Sequence, residues 1–212
     1  MRFKTLLLAA AIATALPLAG HAKTFRWSRA VDLSSWDIHA QNVGVNNTLH
    51  AAVYDTLVDY NSTTFKPEPG LATEWKRVSP TQLRLFLRKG VKFSDGSDFT
   101  ADDAKFSLER AKAKSSNYAV YAQGIDRVEK VDAHTIDIFS DLPNPVLVNQ
   151  LTELRIMSRA WAEKNKSVEP KDIKTKDENF AHRNALGTGP FVLKSWTPDQ
   201  RAVLEPNPHW WG

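Results

Sequence analysis

The sequence predicts an α/β fold, and three observations carry that prediction. Leu83, Leu85 and Leu87 alternate with Arg84, Phe86 and Arg88. That period of two is a strand with an aliphatic face and a largely basic face. An Asp95-Gly96 turn follows, and then Thr100 opens a stretch with Ala104, Leu108 and Ala111 at helical spacing. Asp-Gly tolerates the positive φ of a tight reversal, and the spacing puts the three apolar residues on one helix face. Hydrophobic residues make up 42% of the chain and charged residues 25%, ordinary values for a packed core.

Taken in order, residues 1–22 read as a secretory signal. Arg2 and Lys4 give a positive start, residues 6–16 are apolar, and Gly20-His21-Ala22 places small residues at both positions a signal peptidase reads. A membrane anchor is the alternative, but the apolar run is short for a bilayer span. The chain has no cysteine, so lipid attachment at this site and a disulfide framework are excluded. Together these point to the periplasm. The net charge of +4 falls by the two charges of Arg2 and Lys4 to +2 once the signal is removed. That is no electrostatic footprint for nucleic acid, even with a pI near 9.2.

Residues 24–30 read as a first strand, and residues 31–47 as irregular and polar. Leu49, Val53 and Leu57 fall at i, i+4 and i+8, so residues 47–57 are expected as a helix capped by Asn47. Pro67, Pro69 and Gly70 mark residues 64–70 as a loop. Leu71 to Trp75 leads into a strand that Ser79-Pro80 turns back into the central one. The helix after Thr100, with Asp102 and Asp103 in its first turn, packs that hairpin. Phe99 before the cap is placed to staple onto Ala104. Residues 125–131 and 135–139 form a second hairpin with His134 in its solvated turn. Residues 146–151 are a short helix after Pro143 and Pro145, and Ser158 caps another that runs to Lys164. Residues 165–184 are polar and charged without a period, which predicts an exposed loop with a single helical turn. Residues 191–196 and 201–205 close a last hairpin.

No catalytic constellation emerges. Asp102 and Asp103 are adjacent and diverge on a helix, and Asp95 is explained by its turn. No G-x-S-x-G, H-E-x-x-H or cysteine nucleophile is present. The six histidines are scattered without ligand spacing, so no metal or other cofactor is expected. Gly187-Thr188-Gly189 lacks the lysine and helix of a phosphate-binding loop. Several of the seven tryptophans are available to pack on apolar ligand groups.

The stretch LRKGVKFSDGSDFTADDAKFSLERA, residues 87–111, resembles the signature of the extracellular solute-binding proteins of family 5, the peptide- and nickel-binding receptors of ABC importers. Leu87, Arg88, Gly90, Val91, Phe93, Asp95, Gly96, Thr100, Ala101, Asp103, Phe106, Ser107 and Arg110 match in order, while Ala104 replaces the usual valine. Gly187 to Phe191 resembles the family's G-T-G-P-Y/F, and Asn207 to Trp211 its N-P-x-Y-W. Tyr54 to Val58 and Leu71 to Trp75 resemble two further family segments, whereas Ile38 stands where the family's S-L-D-P loop has proline.

The resemblance implies a periplasmic-binding-protein type II fold. Residues 23–212 would be the front part of the family domain, with residues 23–46 and 186–212 in lobe I and residues 47–185 as an accessory α/β subdomain. The rest of lobe I and all of lobe II would lie beyond Gly212. It implies a non-enzymatic receptor that takes a short peptide or similar small solute to permease subunits in the inner membrane. Nickel chelate, haem or sugar is the alternative cargo on the same fold, and a secreted hydrolase the alternative of another class. Asn42, Val43 and Gly44, on a loop that meets ligand backbones in peptide-binding relatives, and Tyr118 are the implied ligand contacts. An ordinary surface loop and a core tyrosine are the competing readings.

Overall fold

The computed structural model describes residues 24–175 and 177–212. The expected signal at residues 1–22 lies outside them. Residues 31–212 form one compact unit, and residues 24–30 belong to a separate one. The expected strand at residues 24–30 is absent: that segment has neither helix nor strand, and Phe25 and Trp27 are exposed. Local alternation does not hold a strand without a backbone ladder to a neighbour.

Helix α1 spans Gly44–Val53, not the expected residues 47–57. Val43 is the cap, extended at φ −134°, and Tyr54 leaves the helix extended. The carbonyls of Thr56 and Leu57 accept from the amides of Leu71 and Ala72, which holds the chain extended there. Leu57 is buried from that extended stretch. Asn47 therefore sits within the first turn of the helix instead of capping it.

The expected loop at residues 64–70 is in part a strand. β1 (Val58–Asn61) pairs antiparallel with β2 (Lys66–Pro69), Tyr60 opposite Pro67 and Val58 opposite Pro69. A strand with one partner has an edge that needs no N–H, so proline is tolerated there.

The main sheet is antiparallel, with strand order β3-β4-β6-β5. β3 is Ala72–Ser79, β4 Gln82–Leu87, β5 Arg127–Asp132 and β6 Thr135–Phe139. Leu83, Leu85 and Leu87 of β4 are buried, as the alternation requires. Arg84 lies directly opposite Asp137 of β6 and donates to both of its carboxylate oxygens, at 2.7 and 2.8 Å. The basic face of β4 is thus partly neutralised across the ladder. His134, in the β5–β6 turn, is half-buried.

Helix α2 (Ala101–Ala111) packs on this sheet with Ala104, Leu108 and Ala111 buried. Thr100 and Asp103 form a reciprocal capping box, and Asp103 also accepts from the amide of Arg159 at 2.9 Å. Gly96 takes φ +87° in the preceding turn, and Phe99 packs edge-on against Phe93. The short helices α3 (Ala119–Ala122), α4 (Leu147–Gln150) and α5 (Arg159–Lys164) follow; Ser158 caps α5 by accepting from Trp161.

A second core gathers Leu33, Trp36, Ile38, Val53, Tyr54, Met157, Ala162 and Ala181. Leu193 and Trp196 of β7 (Phe191–Thr197) and Ala202 and Leu204 of β8 (Arg201–Pro206) pack against it. Residues 165–184 are not simply an exposed loop: two 3₁₀ turns, Ile173–Thr175 and Phe180–His182, punctuate them, and Ser167, Ala181 and His182 are buried. Their polar composition is used inward, since Asn179 donates to Asp37 and Trp36 donates its amide to the His182 carbonyl. Gly187 and Gly189 press against the end of α1. A Cβ on Gly187 would collide with the Val53 carbonyl oxygen, and one on Gly189 would lie 2.7 Å from the Val53 carbonyl carbon.

Candidate functional site

Most of the motif residues prove to be scaffold. Arg110, fully enclosed in α2, donates to both carboxylate oxygens of Asp37 at 2.7 and 2.6 Å. Its Nε donates to the carbonyls of Ser167 and Val168, which ties three distant segments together. Burial alone would raise the Asp37 pKa, but the Arg110 charge and hydrogen bonds outweigh it and hold it below the usual range. Asp55 accepts from the Thr188 hydroxyl at 2.9 Å and the Trp211 indole at 2.8 Å. The segments around Tyr54, Gly187 and Asn207 therefore meet at one carboxylate.

The residues expected to touch ligand lie at the start of α1. Val43 and Gly44 are exposed, and no heavy atom lies within 4 Å of where a Cβ on Gly44 would be. Asn42 is half-buried beside them. Tyr118 is only 1% exposed, with its ring 5.8 Å from that of His39 and 6.0 Å from that of Tyr121. Asn47 brings the two stretches together. Its Oδ1 accepts from the Tyr118 hydroxyl, its Nδ2 donates to Asn42 Oδ1 at 3.0 Å, and its amide donates to the Val43 carbonyl at 3.0 Å. Asn117 adds two bonds to the same wall, its amide to the His39 carbonyl at 2.9 Å and its Nδ2 to the Ala40 carbonyl at 2.6 Å. Burial pushes the Tyr118 pKa up to about 12, so the phenol keeps its proton and its oxygen retains an accepting lone pair.

The histidines behind this wall have defined tautomers. Arg110 can only donate to His39 Nδ1, 3.1 Å away, so the His39 proton is on Nε2. The Ser35 carbonyl can only accept from His50 Nε2, at 2.9 Å, so Nδ1 of His50 is bare. Burial drives His39 down to about 3 and His50 down to about 4. Both are neutral at pH 7.

Two residues of this corner escape a reading of the sequence. Asn47 reads as a cap, because only the tertiary fold brings Tyr118 to it. Arg155 is flagged by a weak signal, a cation flanked by Leu154 and Ile156. It forms an isolated bridge with Thr56 and donates its Nη2 to the Asn47 carbonyl at 3.1 Å.

With the fold in view, the chain can be compared with known proteins. Residues 66–212 match the family model described as bacterial extracellular solute-binding proteins, family 5 Middle. The chain belongs to that family. Among family 5 relatives, it is 29% identical to the probable D,D-dipeptide-binding periplasmic protein DdpA of Escherichia coli strain K12, over 99% of this chain and 41% of that protein. It superimposes with a TM-score of 0.71 on the periplasmic binding protein DppA of Helicobacter pylori in complex with the peptide STSA, at 26% identity over 86% of this chain and 38% of that one. The murein tripeptide binding protein MppA of Escherichia coli gives a TM-score of 0.68 at 28% identity, over 85% of this chain and 37% of that one. The family 5 fold is the periplasmic-binding-protein type II fold, and this chain is part of a lobe of it. It spans about two-fifths of the length of these relatives. These relatives are binding proteins, not enzymes. Among the described residues no helix is long and apolar enough to cross a membrane.

Proposed function

We propose that the protein is the periplasmic substrate-binding component of an ABC importer, exported by cleavage after Ala22, that takes a short peptide or similar small solute to membrane permease subunits. Residues 23–46 and 186–212 would serve as lobe I and residues 47–185 as its accessory subdomain. The binding wall is the start of α1, with Asn42, Val43 and Gly44 meeting the solute backbone and Tyr118 buttressing them through Asn47. One observation carries this reading: the hydrogen-bonded chain from Tyr118 through Asn47 to Asn42, behind the open face of Gly44. The peptide ligands named for DdpA, DppA and MppA support the solute class.

The test is calorimetric titration of a dipeptide and tripeptide panel into the intact protein, with Gly44→Ala and Tyr118→Phe beside the wild type. Gly44 has open space and lies in a helix, so alanine leaves the melting temperature unchanged or raises it. Its methyl occupies the face that meets the solute, and peptide affinity falls. Tyr118→Phe removes one hydrogen bond, about 0.5–1.5 kcal/mol, which is a few-fold to about tenfold in affinity. Peptides that bind wild type and both variants equally would remove these residues from the site.

A further inference from the structure

On the face of the main sheet turned away from Leu83, Leu85 and Leu87, one row of the ladder runs from Phe86 of β4 through Thr135 of β6 to Asp132 of β5. With Arg88, Lys89 and His134 these residues line a cavity of about 590 Å³. Half-buried Phe86 and buried Thr135 are its floor, while Lys89 beyond the end of β4 and Asp132 at the end of β5 are exposed. Charges nearby are paired: Arg84 with Asp137, Lys92 with Asp98, Arg127 with Glu129 and Lys130 with Asp102. The cavity's own charges are not. Among the described residues no carboxylate lies within 4.0 Å of the side-chain nitrogens of Arg88 or Lys89, and no basic nitrogen within 4.0 Å of the Asp132 carboxylate. The Arg88 guanidinium meets a neutral carbonyl, that of Gly70 at 3.3 Å, and the Trp211 ring, 4.3 Å from its centroid. Asp132 accepts from the His134 amide at 2.7 Å; that bond above all, with the Lys89 charge adding to it, holds its carboxyl below the usual carboxylate range.

We propose that this cavity is a second binding site, for a free α-amino acid with an apolar side chain. The ligand carboxylate meets Lys89 and Arg88, its ammonium meets Asp132, and its apolar body lies on Phe86. The chemistry follows from the two unmade pairs. A cation and an anion that line one concave surface without touching are both satisfied by a single molecule carrying the opposite charges side by side, through charge-assisted hydrogen bonds. The volume lies within the range of small-molecule sites and admits a whole amino acid. A peptide fits less well, because each added residue moves its two terminal charges up to about 3.3–3.6 Å further apart. The Phe86 ring supplies an apolar face for a side chain that would otherwise stay in water. None of these residues belongs to the wall at α1, so the site stands whether or not the receptor reading does.

The experiment is equilibrium dialysis of radiolabelled phenylalanine and leucine against the intact protein. Phenylalaninamide, which lacks the carboxylate, and hydrocinnamate, which lacks the ammonium, are the competitors. Each is expected to bind about fivefold or more weakly than phenylalanine, the upper range for an exposed charge pair. Lys89→Met keeps the aliphatic stem, and Asp132→Asn keeps an oxygen for the His134 amide, so both are expected to hold the wild-type melting temperature. Each is expected to weaken phenylalanine by about the same factor. Added salt is expected to weaken it too, since both contacts are exposed to screening. Neither amino acid binding up to its solubility limit would overturn the site. Hydrocinnamate competing as well as phenylalanine would reduce it to a plain anion site and overturn the ligand class. Binding unchanged in both variants would place the amino acid elsewhere on the protein and overturn the assignment to this cavity.

Discussion

At the scale of single residues, the wall behind the candidate site is built from ionisable side chains held in one protonation state. His39 and His50 have folded pKa values of about 3 and about 4, below the ordinary histidine value near 6.5. Unfolding lets both rings take up protons, so the unfolded state binds more protons than the folded one between these limits. Stability is therefore fully present above pH 6.5 and is lost as pH falls, until the curve levels near pH 4 for His50 and pH 3 for His39. Each contributes a limiting slope of about 1.4 kcal/mol per pH unit. His182 is lowered too, by burial, and acts in the same direction. The melting temperature is expected to drop steadily between pH 6.5 and 5. A His39→Asn, His50→Gln double variant, which keeps one hydrogen-bonding atom at each position, is expected to flatten the curve. A wild-type melting temperature constant over that range would show that the rings are not held neutral.

At the scale of elements, the tightest constraint is the passage of residues 187–189 across the end of α1. Gly187 has the Val53 backbone where a side chain would begin, and backbone cannot rotate away as a side chain can. Gly187→Ala is expected to destabilise by at least the 1–3 kcal/mol typical of overpacking, read as a shift of the urea midpoint. Gly44→Ala, in open space, is the control. A midpoint that did not move for Gly187→Ala would mean the two segments are not in contact. The same elements show what a sequence makes legible. The period of β4 and the capping of α2 and α5 are local and readable from neighbours a few residues apart. The end of α1 is not, since tertiary bonds from Leu71 and Ala72 hold residues 56–57 extended and leave Leu57 outside the helix. Nor is β2, whose prolines read as breakers until its edge position is known. Asn42 to Gly44 and Tyr118 stand out only through the family resemblance. Asn47 and Arg155 stay hidden because their roles exist only once residues 71 and 108 positions away in the chain have been brought together.

At the scale of the whole molecule, two cores of different sequence reach lie in one compact unit. The sheet core draws on neighbouring hairpins: β3 with β4, and β5 with β6. The second core joins Leu33, Trp36 and Ile38 to Ala181 and to the β7–β8 hairpin, and Asp55 reaches 156 residues to Trp211. Closing loops of that length carries a chain-entropy cost that must be met before the contacts reward it. The sheet is therefore expected to form first. Leu85→Ala is expected to slow refolding, while Met157→Ala mainly speeds unfolding, as the two arms of a chevron would show. Equal effects of both on the refolding arm would contradict this order. One consequence concerns the newly made chain. Until the β7–β8 hairpin has been made, the core around Leu33, Trp36 and Ile38 lacks the part of its cover that Leu193, Trp196, Ala202 and Leu204 supply, and partly covered apolar surface of this kind is what holdase chaperones retain and aggregation exploits.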